Sequence, residues 1–171
     1  VRNCGIAVIR WLTVLCLVSG NSELAWGQPV NHAPVNSVPA AQTVAEDTML
    51  ALSGLNAISV ADVDSASVTA SVTVTQGTLT VTLGETGATV SAGPSGTSTL
   101  TLSGTVSQVN AAFATLVYLA DPNYDGADTL TVMTTDNGGL TDTDVVALTV
   151  TEVNDAPVAN AQSVTLTEDT A

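Results

Sequence analysis

The sequence predicts an all-β domain: an antiparallel β-sandwich with one short helix. Three observations carry this. Apolar residues alternate with threonine over long stretches, glycine-bearing turn signals separate those stretches, and a single segment departs to helical spacing. Alternation of this kind marks half-buried strands, with threonine on the wet face.

The first apolar stretch, about 36–45, reads as the opening strand, and Met49–Val60 as its return. Val68, Ala70, Val72 and Val74 then alternate with Thr69, Ser71, Thr73 and Thr75. Gln76-Gly77 turns the chain, and Leu79, Val81 and Leu83 continue the period of two. Leu100 and Leu102, Leu130 and Val132, and Val146, Leu148 and Val150 repeat it. Asn137-Gly138, between strands expected at 128–135 and 143–151, marks a tight hairpin. Val106, Val109, Ala112, Phe113 and Leu116 follow Ser103-Gly104-Thr105 at helical spacing and predict a short helix or helical turn. Aromatic residues are few, so Val, Leu and Ala must build the core.

Charge narrows function more than fold. The 171 residues contain 16 acids and two basic residues, a formal charge of −14. Such a surface repels phosphate, which excludes nucleic-acid binding through a basic patch. Disorder is disfavoured, because only 11% of residues are charged and 45% are hydrophobic.

Residues 1–27 read as an export signal. Arg2 and Arg10 form its basic region, Trp11–Val18 its apolar core, and Ala25-Trp26-Gly27 a small-residue cleavage site before Gln28. The apolar run is shorter than the ~20 residues of a membrane-spanning helix. A lipoprotein signal at Cys16 fits less well, since Leu15 stands where a small residue is expected. Cleavage would remove both Arg, both Cys and Glu23, leaving 15 of the 16 acids with no Lys or Arg. No disulfide can then stabilise the exported domain. A secreted or cell-surface location with no membrane span follows as the expectation.

Asn31-His32-Ala33-Pro34-Val35 recurs as Asn154-Asp155-Ala156-Pro157-Val158, and Thr43–Thr48 as Thr165–Thr170. The order and near-equal offsets predict a tandem repeat of about 123 residues. The expected organisation is a signal at 1–27, a first repeat at 28–153, and the linker and first strand of a second at 154–171.

Strand parity sends the acids to the two ends of the sandwich. Asn31, Asp62, Asp64 and Asp136 fall at the end where the first strand begins. Glu46, Asp121, Asp125, Glu152, Asn154 and Asp155 fall at the other, roughly 35 Å away at ~3.3 Å per strand residue. Hard oxygen ligands in loops outside the cell suit Ca²⁺ better than Zn²⁺ or Cu²⁺. The segment Asp121-Pro122-Asn123-Tyr124-Asp125-Gly126 matches the opening of an EF-hand loop. Val132 occupies the position of its closing Glu, however, and strands replace its helices. An ordinary β-turn with Tyr124 packed beneath it and a calcium-contributing loop both remain open.

Five stretches carry a family resemblance: Glu46-Asp47-Thr48, Asp62-Val63-Asp64, Asn123–Leu130, Asp136-Asn137-Gly138-Gly139 and Val153–Pro157. With them, residues 31–171 resemble the cadherin-like tandem repeats of large bacterial surface and secreted adhesin-type proteins. The resemblance implies a cadherin/immunoglobulin-like sandwich with calcium held at junctions between neighbouring repeats of the same chain. It gives Glu46, Asp62, Asp64, Asp136, Glu152, Asn154 and Asp155 ligand roles. The sequence departs from that pattern at Glu152, where the linker has Asp, and at His32, which replaces the upstream linker Asp.

The expected function is therefore a non-catalytic extracellular calcium-binding structural repeat, with calcium stiffening the inter-repeat junctions. Cell-surface proteins or glycans are the expected outside partners. The alternative is an accessory or ligand-binding module attached to a downstream extracellular enzyme. No catalytic residue is expected: no carboxylate pair is marked out as glycosidase machinery, and His32 sits in a linker without a positioned nucleophile.

Overall fold

The computed structural model describes residues 30–157, 159, 161–163, 165 and 168. The expected export signal lies outside them, as does part of the second repeat's expected first strand. Among the described residues the strands are β1 (Val35–Ser37), β2 (Gln42–Ala45), β3 (Leu50–Ala51), β4 (Ser59–Ala61), β5 (Ser67–Thr73) and β6 (Gly77–Thr80). They continue with β7 (Thr89–Ala92), β8 (Thr99–Thr105), β9 (Val117–Ala120), β10 (Gly126–Asp136) and β11 (Thr141–Thr151). One helix, α1 (Val106–Phe113), joins β8 to β9.

Three sheets share one core. The largest has the order β2-β11-β10-β5-β8-β7; the others are β3-β9-β6 and β1-β4. Their inward residues, including Val72, Leu102, Leu130, Leu148, Leu79 and Val60, pack into one buried cluster, so the all-β sandwich is observed. Tyr118 and Phe113 are its largest fully buried side chains. Burying a Phe or Leu side chain contributes about 2 kcal/mol, so a core poor in aromatics depends on many aliphatic ones.

The hairpin β10–β11 runs in uninterrupted register from Gly126↔Val150 to Thr135↔Thr141. Its turn closes as Asp136 N–H donates to Leu140 O at 3.0 Å. Helix α1 begins where the sequence placed it. Thr105 and Gln108 form a reciprocal capping box: Gln108 N–H donates to Thr105 Oγ1 at 3.3 Å, and Thr105 N–H to Gln108 Oε1 at 2.8 Å. Val109, Ala112 and Phe113 form its buried stripe.

The opening strand departs from expectation. The chain breaks between Ser37 and Gln42, around Pro39, and changes sheets. β1 pairs antiparallel with β4, while β2 pairs with β11. Proline cannot donate to a ladder, so a break there is physically favoured. The β2–β11 pairing is parallel, which makes the large sheet mixed instead of wholly antiparallel. The opening and closing strands run in the same direction, so their adjacency requires it. After Thr151, the described residues carry no strand.

Candidate functional site

Both ends of the sandwich hold the polar residues marked by strand parity, and half of these side chains are bonded within the fold. At the first end, Asn31 Nδ2 donates to Asp136 Oδ2 at 2.7 Å, and Leu140 N–H donates to Asp136 Oδ1 at 2.8 Å. Asp136 is buried and closes its own hairpin. Gly138 permits this contact, since a Cβ there would collide with the Asn31 side chain.

Beside them, the backbone N–H groups of Asp64 and Ser65 donate to Asp62 Oδ1 at 3.0 and 2.7 Å, which is an Asx turn. Asp62 Oδ2 is buried and finds no partner among the described residues. Asp64 Oδ2 accepts from His32 N–H at 3.0 Å and lies 2.9 Å from His32 Nδ1. The hydrogen bond with the His32 ring holds the Asp64 carboxyl below its usual range.

At the other end Glu46, buried, accepts from Val153 N–H at 2.6 Å through Oε1. This clamps the chain leaving β11 against the end of β2. Asp121 and Asp125 are exposed. Asp121 contributes its carbonyl to a turn with Tyr124 N–H at 3.0 Å, and Tyr124 packs against the core. Glu152, Asn154 and Asp155 are exposed beyond β11.

Among the described residues, no three His, Cys, Asp or Glu side chains are grouped so as to hold a metal ion. Asp136, Glu46 and Asp64 already serve as acceptors for protein donors. The calcium-binding reading drawn from the sequence therefore finds no grouped ligand set to support it among the described residues.

The carboxylate most deeply built into the fold is Asp128, on the inward face of β10. Its Oδ1 accepts from Thr75 N–H (3.0 Å), Thr75 Oγ1 (2.6 Å) and Thr129 N–H (2.7 Å). Its Oδ2 accepts from Gln76 N–H (3.2 Å) and Tyr118 Oη (2.9 Å). Burial by itself raises the Asp128 carboxyl. The bonds from Thr75, Thr129 and Tyr118 outweigh it and hold the group below its usual range. Burial first, and then the Asp128 carboxylate, push the Tyr118 phenol up.

A second polar network, equally unmarked in the sequence reading, pins β1. Asn36 N–H donates to Asp142 Oδ2 at 2.7 Å, its Nδ2 donates to Asp142 O at 3.1 Å, and Thr134 Oγ1 donates to Asn36 Oδ1 at 2.6 Å. A period-of-two count along β10 carries the signal for both networks: Asp128 and Thr134 fall in the inward row with Leu130 and Val132.

The outer face of the large sheet is different in character. Across five strands the register aligns Thr141, Thr135, Thr69, Ser103 and Thr89. Hydroxyls on this face bond to one another: Thr69 Oγ1 to Ser103 Oγ at 3.2 Å, Ser103 Oγ to Ser91 Oγ at 3.0 Å, and Thr101 Oγ1 to Ser71 Oγ at 3.3 Å. Every acid on β10 and β11 belongs to the inward row, and the remaining described acids lie in loops and linkers, so no charge falls on this face.

Residues 51–145, from β3 into β11, match the model of the Protein GAMETE EXPRESSED 2 domain. No curated protein matches the chain. The match overturns the resemblance to bacterial cadherin-like repeats, and with it the reading as a calcium-stiffened structural repeat of an adhesin-type protein. A place at or beyond the cell surface is broadly in keeping with it. No helix among the described residues is long and apolar enough to cross a membrane. The matched span covers more than half of the 171 residues and includes strands of both layers, so the chain belongs to the Protein GAMETE EXPRESSED 2 domain family.

Proposed function

We propose that this chain works outside the cell as a non-catalytic contact module, of the kind a gamete-expressed protein would use in recognition between cells. The family match over 51–145 carries this reading, because it spans the elements that build the sandwich. The carboxylates support it as well. The buried ones serve here as acceptors within the fold: Asp128 for five donors, Asp136 for Asn31 and Leu140, Glu46 for Val153. What such a fold offers a partner is sheet surface, held in shape by its ladders.

The first requirement is export. A reporter fused to the C-terminus of the full chain, produced in its own cells, is expected in the medium or on the surface, where added protease reaches it on intact cells. A reporter that stays in the cytoplasm and resists protease overturns the proposal.

A further inference from the structure

We propose that the outer face of the six-stranded sheet is a homophilic docking surface, through which two copies of this chain associate face to face about a two-fold axis. The inference rests on the contact-module reading above and names the partner as a second copy.

Charge is the first ground. The chain carries 16 acids against two basic residues, so two copies repel wherever carboxylates meet. This face has none. Asp128, Asp136, Asp142 and Asp144 belong to the inward rows of β10 and β11, and the other described acids lie in loops and linkers beyond the strands. It is a broad surface on which two such acidic molecules can approach closely without opposing carboxylates.

Chemistry is the second. Each Thr or Ser hydroxyl both donates and accepts, so a hydroxyl-covered face is complementary to itself. A two-fold interface demands that property, since each patch meets its own copy. The bonds among Thr69, Ser103 and Ser91 hold some of these hydroxyls in place before any partner arrives. Near the middle, Met133 and Val145 are 43% and 61% exposed, giving an uncharged, weakly apolar centre within a hydroxyl surround.

Size is the third. Six strands at ~4.8 Å and about seven residues at ~3.4 Å give a projected footprint of roughly 600 Å². Projecting side chains raise its accessible area toward the ~800 Å² per partner of an ordinary stable interface. Two such faces can stack as aligned sheets do inside a sandwich, ~10 Å apart with a crossing of about 30°.

Sedimentation equilibrium of the purified chain tests this. The expected result is a monomer–dimer equilibrium that tightens as NaCl rises from about 20 mM to about 150 mM, because salt screens the repulsion between distant carboxylates. Ser71→Asp and Met133→Asp, each on the face, are expected to weaken dimerisation about tenfold or more by placing like charges across the axis. Leu55→Asp adds the same charge at a fully exposed position off the face and is expected to stay within about twofold of the parent. Melting curves confirm that each variant is folded. A chain that is monomeric at both salt concentrations overturns the proposal, as does a dimer weakened equally by Leu55→Asp. If the reporter reaches the surface while the purified chain stays monomeric, the dimer is wrong and the contact-module reading stands. If the reporter stays in the cytoplasm, that reading fails even where a dimer forms.

Discussion

The Tyr118 hydroxyl lies 2.9 Å from Asp128 Oδ2 and 2.8 Å from Gln76 O, so one buried phenol ties β9 to β10 and to the turn after β5. Removing the carboxylate leaves the phenol with only Gln76 O, and strands the N–H groups of Thr75, Gln76 and Thr129. Leaving buried donors unsatisfied costs about 1–3 kcal/mol each where water cannot replace the partner. Asp128→Ala is therefore expected to destabilise the fold by about 3 kcal/mol or more, and Tyr118→Phe by about 1–2 kcal/mol. Urea unfolding of both single variants and the double variant checks this. The double variant should cost less than the sum, since the two residues share one bond.

The same carboxylate makes stability depend on pH in a defined direction. Its folded-state value lies below the ordinary 3.8, so its contribution is present above that value and is lost as pH falls through the folded one. Unfolding free energy of the parent chain should thus fall steeply with acid below about pH 4. Asp128→Asn should show a flatter acid limb at lower overall stability. Urea titrations at stepped pH read both curves.

Asn110 imitates a strand partner. Its Oδ1 accepts from Val60 N–H and its Nδ2 donates to Val60 O, both at 2.8 Å, so helix α1 completes the free side of β4. Asn110→Ala should cost about 1–3 kcal/mol by leaving both Val60 groups unpaired. Asn110→Asp should cost at least as much, because a carboxylate would face the Val60 carbonyl. Faster hydrogen exchange at the Val60 amide, measured by NMR, locates the damage in either variant.

Gly77 opens β6 with φ +145°, and a Cβ there would collide with the Leu119 carbonyl and come within 2.9 Å of Ala120 Cα. Backbone cannot yield as a flexible side chain does. Gly77→Ala is expected to destabilise by about 2–4 kcal/mol, combining positive-φ strain with that clash. Gly54→Ala, at φ +62° with open space around its Cβ, should cost only about 1 kcal/mol. Thermal melts of the pair separate the two effects.

The elements that declared themselves in the sequence are those whose own residues carry the pattern. Val68–Thr75 alternates because β5 buries Val68, Ala70 and Val72 while showing Thr69 to water. Asn137-Gly138 marks its hairpin, and Ser103-Gly104-Thr105 marks the start of α1. Two strands gave no such pattern. β7 sits at a sheet edge, where only Val90 faces inward and the register slips between Val90 and Ala92. β9 reads Val-Tyr-Leu-Ala, apolar on both parities, directly after the helix.

The polar sites are legible by position, and their bonds within the fold are not. Parity placed Asn31, Asp136 and Asp64 at one end, where Asn31 meets Asp136 and His32 meets Asp64. Residue type alone suggested ligands for an ion. The backbone N–H groups of Leu140 and His32, which these oxygens accept from, leave no mark in a sequence. Asp128 carries its own signal, since its place in the Leu130–Val132 row marks it as inward-facing.

The central claim, an exterior contact module whose carboxylates are scaffold, meets its most direct test in cell binding. Fluorescently labelled chain is added to intact cells of the source organism, gametes included where they form, in millimolar calcium and again in EGTA. Saturable surface binding of equal affinity in both is the expected result. An absence of binding, or binding that disappears with EGTA, would contradict it.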